Sequence, residues 1–320
     1  RVSGLGDVYK RQNNPSAGRE TDKNEQWRNN SYILGYGDTS IKNANISLEN
    51  GGMLIQGAKG TNEAPDTGTM TLNNSEVKVA EGALIKATNG SDVALENASV
   101  DLNGGIIDAK ISVDTNSKIN VNNAGSTIKT LAGAGTLNIN ANTSVSTLFG
   151  SASKIGILAV KEGSTFILDS LDEVKENADE GIDGRDAVKL EAGKMEVSGT
   201  AIVADNNANT ITNTNVNKGG ILDVGSNKFA STVTLNDGAT LNIGFANEVN
   251  DEGEVTTVKN GSVNTLTGSD TEGDKAGVNF VFAADLDTEN FPDQVSIANS
   301  IKNGEQIVLN NNLLFDYAIG

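Results

Sequence analysis

From Tyr32 onward the chain alternates apolar and polar positions in short runs, among them Ile46/Leu48, Met70/Leu72, Val77/Val79, Val93/Leu95, Val100/Leu102, Ile119/Val121 and Leu137/Ile139. A period of two marks a half-buried strand, because successive side chains point to opposite faces. The runs are rich in β-branched residues, and Asn, Gly, Asp, Ser or Thr separate them, the residue types that turn a chain. Several runs open on glycine. Gly135-Thr136-Leu137-Asn138-Ile139-Asn140, Gly238-Ala239-Thr240-Leu241-Asn242-Ile243, Gly68-Thr69-Met70-Thr71-Leu72 and Gly220-Ile221-Leu222-Asp223-Val224 are copies of one pattern. Quasi-repeated strands without intervening helices predict a stacked architecture.

Strand starts about seven to fifteen residues apart suit an antiparallel sandwich or a parallel β-helix. A sandwich calls for hairpin turns and an aromatic-rich core. Yet no Trp or Tyr lies between Gly37 and Asp316, and the whole chain has 8 Phe. A β-helix instead stacks Val, Ile, Leu, Ala and Thr at the strand spacing of about 4.8 Å. Its corners suit the chain's 36 glycines and 42 asparagines, since both types tolerate left-handed backbone and asparagine amides bond in ladders. The pattern therefore predicts an all-β fold: a single-stranded, right-handed parallel β-helix (a solenoid) over 31–284, with about 20–25 residues per rung.

Two stretches break the rhythm. In 169–187, Leu171, Val174 and Ala178 fall at helical spacing, so a short helical insertion or an acidic loop is expected there. A second excursion is expected over 247–277. Residues 1–30 read as a disordered or non-native lead-in, whose first twelve, RVSGLGDVYKRQ, resemble a translated sequencing-adapter artefact. Residues 285–320 read as the truncated C-terminal end of the repeat region.

Charge sharpens this picture. The net charge is −18. Residues 161–192 hold ten acids against four bases and 245–290 ten against two, so these two stretches supply −14 of it. Local acidity of this kind reads as solvated insertions. No basic stripe exists to neutralise phosphates, which argues against nucleic acid as a partner. No apolar run is long enough for a membrane-spanning helix.

Candidate chemistry is sparse. The chain has no Cys and no His, which removes thiolate catalysis, disulfides, the commonest general base and the usual triads. Asp179-Glu180-Gly181-Ile182-Asp183-Gly184 looks like a calcium loop but departs from the EF-hand pattern at Gly181 and Leu190. Asp270, Glu272 and Asp274 are able to point one way on a strand, though a solvated loop explains them as well. Of the five Arg, four (Arg1, Arg11, Arg19 and Arg28) precede the repeats. For Arg185, in the irregular acidic segment, pairing with Asp183 or Asp186 is the simpler expectation. Asp285 and Asp287 lie close together, but glycoside hydrolysis needs two carboxylates across one cleft and no matching cluster accompanies them. The sequons Asn45-Ile46-Ser47 and Asn97-Ala98-Ser99 are what an Asn/Ser/Thr-rich chain produces by chance. No catalytic, cofactor-binding or metal-binding residue is assigned.

The Gly-x-Thr-Leu-Asn-Ile copies, with 131–139 (LAGAGTLNI) and 232–241 (TVTLNDGATL), resemble the passenger domain of a bacterial autotransporter of the pertactin-like β-helix class. Phe280-Val281-Phe282-Ala283-Ala284-Asp285-Leu286-Asp287 and Asp293-Gln294-Val295-Ser296-Ile297 are similar to the stretch late in such passengers. The outer-membrane translocator barrel of the family is not within these residues. The resemblance implies export, display at the bacterial cell surface or secretion, and a structural or adhesive role toward host or cell-surface macromolecules or other bacterial cells. It supplies no catalytic motif and no cofactor. The alternative is a β-helical polysaccharide-active enzyme, a lyase or glycoside hydrolase, by analogy of fold alone.

Overall fold

A computed structural model describes residues 9–11, 32–57, 67–88, 90–175, 184–204, 208–268, 275–287, 289–292 and 294–316. These form an all-β protein in which long parallel sheets dominate. The only α-helical turn among them is Val145–Leu148. Two compact units divide the chain: 1–141 with 147–156, and 142–146 with 157–320.

In the first unit one sheet runs, in spatial order, through Tyr9–Arg11, Tyr32–Gly35, Met53–Gln56, Leu84–Ala87, Ile106–Val113, Asp92–Glu96, Thr69–Asn73 and Thr39–Lys42. Ile106–Val113 also pairs with Thr127–Gly133. Tyr9–Arg11, inside the segment read as a lead-in, pairs antiparallel with Tyr32–Leu34. A second sheet orders Asn45–Leu48, Glu76–Ala80, Ser99–Asn103, Lys118–Val121 and Thr136–Ile139, every neighbour parallel. Glu76, Ser99, Lys118 and Thr136 are in register, so the steps are 23, 19 and 18 residues. The step from Asn45 to Glu76 is 31.

The second unit repeats the scheme. One sheet follows Thr143–Ser144, Thr165–Leu168, Thr200–Val203, Ile221–Asp223, Thr240–Val249, Ala276–Ala283 and Ile307–Asp316, all parallel. The other follows Leu190–Val197, Thr210–Val216, Lys228–Leu235, Ser262–Gly268 and Ala298–Lys302. Thr200, Ile221 and Thr240 are spaced by 21 and 19 residues, but Thr240 to Gly277 takes 37.

Parallel register turns the alternating pattern into buried columns. Leu48, Val79, Leu102, Val121 and Ile139 stack strand upon strand, none above 5% exposed. Phe166, Ala201, Leu222, Leu241 and Val278 do the same at 0%. Each such Leu or Val contributes about 1.5–3 kcal/mol of burial. On the last strands the columns emerge: Ile301 above Leu266 and Leu309 above Val278 are 52% and 60% exposed.

The glycine that opens each repeat has a steric cause. A Cβ at Gly135 would sit 2.3 Å from the Asp114 carbonyl and 2.4 Å from Val113 Cγ1. At Gly238 the cause is backbone conformation, φ 71°, which L side chains adopt at a cost.

Both excursions are built from antiparallel pairs. Leu171 and Val174 bridge Val188 and Arg185 through reciprocal main-chain bonds of 2.7–3.0 Å. Their helical spacing is therefore not expressed as a helix; Ala178 lies outside the described residues. In the other excursion Thr240–Val249 folds back on Val255–Asn260, pairing Phe245 with Asn260. Ser262–Gly268 then rejoins the parallel sheet. The interruption expected over 247–277 is thus a hairpin that ends near Asn260, with 269–274 outside the described residues.

Candidate functional site

At the corner between the two sheets of the first unit stand Asn43, Asn74 and Asn97, with φ of 52°, 48° and 49°. A left-handed residue makes the tight turn from one sheet to the other, and asparagine tolerates it better than most residues. The three amides bond in a ladder: Asn74 Nδ2 donates to Asn43 Oδ1 at 2.5 Å and Asn97 Nδ2 to Asn74 Oδ1 at 3.1 Å. On the next strand Asp114 continues it, accepting the Asn97 main-chain N–H on both carboxylate oxygens at 3.3 Å.

Beside each corner the chain places a small residue. Ser75 Oγ accepts the N–H of Ala44 at 3.1 Å and Ser117 Oγ that of Ala98 at 2.9 Å. Ser75 and Ala98 are buried and form the floor of a polar trough of about 250 Å³. Asn45, Asn74, Glu76, Asn97, Ser99, Asn116 and Lys118 complete its lining.

Further amide ladders run across the strands. Asn120 donates to Asp101 at 2.6 Å and Asn138 to Asn120 at 2.8 Å; one step along, Asn122 donates to Asn103 and Asn140 to Asn122. The second unit has Asn242 on Asp223 and Asn279 on Asn242. It also has Asn217 on Ser198 and Asn236 on Asn217. The asparagines of the Gly-x-Thr-Leu-Asn-Ile copies, Asn138 and Asn242, are rungs of these ladders. On another face Asp108 lies between Lys86 and Lys129, each at 3.3 Å.

Asp179, Glu180, Gly181, Ile182, Asp183, Asp270, Glu272 and Asp274 lie outside the described residues. Arg185 donates from Nη2 to the Asp172 carbonyl at 3.1 Å, across the hairpin. Asp285 and Asp287 are both tied to Asn247: its Nδ2 donates to the Asp285 carbonyl and its Oδ1 accepts from the Asp287 N–H, each at 2.8 Å. The Asp287 carboxylate accepts from the Asn290 amide at 2.7 Å and the Glu289 N–H at 2.8 Å. Those two bonds, the side-chain one foremost, hold its pKa below the ordinary value of 3.8. This is a loop clamp. Next to it Phe245 stacks on Phe282 and Phe291, with centroids 4.8 and 5.5 Å apart, and meets Phe280 edge-on at 5.7 Å. No sequence signal marks this cluster, because 46 residues separate Phe245 from Phe291. Only the register Phe245 to Phe282 brings the rings together.

Among the described residues no three acidic side chains converge to hold a metal ion. No protein-family model matches the chain, and neither a curated protein nor a solved structure shows a significant likeness to it.

Proposed function

We propose that the chain is a structural or adhesive module of a bacterial cell-surface or secreted protein. In this reading it folds as a single-stranded, right-handed parallel β-helix of the pertactin-like autotransporter passenger class. The support is the coincidence of in-register buried columns with amide ladders on the same strands. Such a stack presents long rows of polar side chains on a rigid frame, which is what an extended binding or spacing surface requires. Its partners are host or cell-surface macromolecules or other bacterial cells, with a translocator barrel holding it at the outer membrane.

The test is display. The chain is fused between an export signal and an outer-membrane barrel, and adherence of the bacteria to one another and to epithelial cells is measured. Adherence above the barrel-only control is expected. Wild-type adherence at the control level, together with release of reducing ends or unsaturated sugars from a polysaccharide, would replace this reading with the enzymatic one.

A further inference from the structure

At an Asn-Gly pair the main-chain nitrogen that follows asparagine is unhindered, because glycine has no Cβ. That nitrogen is the natural nucleophile toward the asparagine's own carboxamide. The sequence holds five such pairs, of which Asn89 lies outside the described residues. In three of the other four, a hydrogen bond holds the peptide that joins the pair. Gly104 N–H donates to Ser126 Oγ at 3.1 Å, and Asn103 Oδ1 accepts from the Asn122 amide at 3.1 Å. Gly261 N–H donates to the Gly244 carbonyl at 2.9 Å, and the Asn260 amide donates to the carbonyls of Gly261 and Ser296. The Asn303 carbonyl accepts the Gln306 N–H at 3.0 Å.

Asn50-Gly51 differs. A single main-chain bond closes its turn, from Gly52 N–H to the Glu49 carbonyl at 2.9 Å. The φ angles are 52° at Asn50 and 79° at Gly51, positive at both central residues as in a type I′ turn. The peptide between them sits in the middle of that turn, and among the described residues neither its N–H nor its carbonyl is bonded. The Asn50 side chain is exposed and bonds to no described residue.

We propose that Asn50 is a site of spontaneous covalent modification, converting to aspartate and isoaspartate through a succinimide. Rotating the central peptide toward the type II′ form takes ψ of Asn50 to about −120°. This aligns the Gly51 nitrogen with Cβ and sets it beside Cγ. The rotation leaves the Glu49–Gly52 bond in place, and glycine at 51 accommodates it. The Gly51 nitrogen then loses its proton and bonds to Cγ, while the Cγ–Nδ2 bond breaks and Nδ2 departs with a proton as ammonia. Water opens the ring at either carbonyl. Attack at Cγ gives aspartate, and attack at the main-chain carbonyl gives isoaspartate, with the chain running through Cγ. Either product adds a negative charge beside Glu49. Isoaspartate also adds one atom to the main chain between Leu48 and Met53, both buried on their strands. At the other three pairs the same rotation must first break a hydrogen bond.

The experiment incubates the whole chain, folded and in denaturant, at mildly alkaline pH and follows each Asn-Gly peptide by digestion and mass spectrometry. Isoaspartate is read by retention time and by labelling with isoaspartyl methyltransferase. Each folded rate is divided by the rate of the same pair in denaturant, which removes the influence of neighbouring residues. The ratio at Asn50 is expected to exceed those at Asn103, Asn260 and Asn303 by at least about threefold, the equivalent of one hydrogen bond. Ser126→Ala, which takes the acceptor from Gly104 N–H, is expected to raise the ratio at Asn103 and leave that at Asn50 unchanged. A wild-type ratio at Asn50 no higher than those of the three held pairs overturns the proposal, whether or not the variant folds. An Asn50 product without isoaspartate overturns it too, because direct hydrolysis gives aspartate alone. So does an unchanged ratio at Asn103 in a folded Ser126→Ala chain, since bonding of the glycine nitrogen would then not control the attack.

Discussion

Both units keep parallel register with amide ladders, and the second adds an aromatic cluster. In the first, steps of 18–23 residues and one of 31 place like side chains above one another, and the corner is held by asparagines in left-handed conformation. In the second, an excursion stretches the step to 37 residues, which the amide bond from Asn279 to Asn242 still spans. There the strand that leaves the sheet carries Phe245, whose ring packs on Phe282 and Phe291. Amide bonds therefore span short and long steps alike, and at the longest step stacked rings add an apolar contact.

The comparison breaks most sharply at Phe245, which is 4% exposed. Phe245→Ala is expected to cost about 3–5 kcal/mol, part of it the ring pairing. Chemical denaturation of wild type and variant measures it, and a loss below about 1 kcal/mol would mean that the cluster does not hold the second unit. Asn74→Ala removes both ladder bonds of that residue and leaves an ordinary side chain at φ 48°. About 2 kcal/mol is expected, and Asn74→Gly should recover the backbone share; equal losses would show that conformation is irrelevant at the corner.

Asp108→Asn sharpens the contrast from the other side. Its two lysine contacts are well exposed, so a change of no more than about 1 kcal/mol is expected, disappearing in high salt. A larger, salt-independent loss would contradict that. The smallest effect belongs to Asp287. Its folded pKa is lowered, so the native state binds fewer protons than the unfolded chain. The stability it adds is present above the unfolded pKa and is lost as pH falls through the lower folded value. Melting curves of wild type and Asp287→Asn should therefore converge in acid, and a gap that stays constant with pH would refute the clamp.

Much of the strand pattern was legible along the chain. Val77/Val79, Val100/Leu102 and Ile119/Val121 alternate because one face of each strand is buried, and period two survives whatever the strand pairs with. The glycine of the repeat was visible, but its reason was not: at Gly135 the obstacle is the Asp114 carbonyl of a neighbouring turn. The trough was invisible for a similar cause. Asn45, Glu76, Ser99 and Lys118 share no motif and become one row only through register. Leu171 and Val174 misled in the opposite direction, since three-residue spacing suits a helix and equally suits two bridges of a hairpin.

Local chemistry determined the elements: alternation placed the strands, and glycine and asparagine placed the turns. It also limited the chemistry, since a chain without Cys or His offers no thiolate nucleophile and no imidazole base. Register belonged to the tertiary structure alone. Which asparagine bonds to which and which phenylalanines stack both depend on steps of 18 to 37 residues between paired strands. Such steps are set by the packing of buried columns, a contact between distant residues that no local pattern encodes.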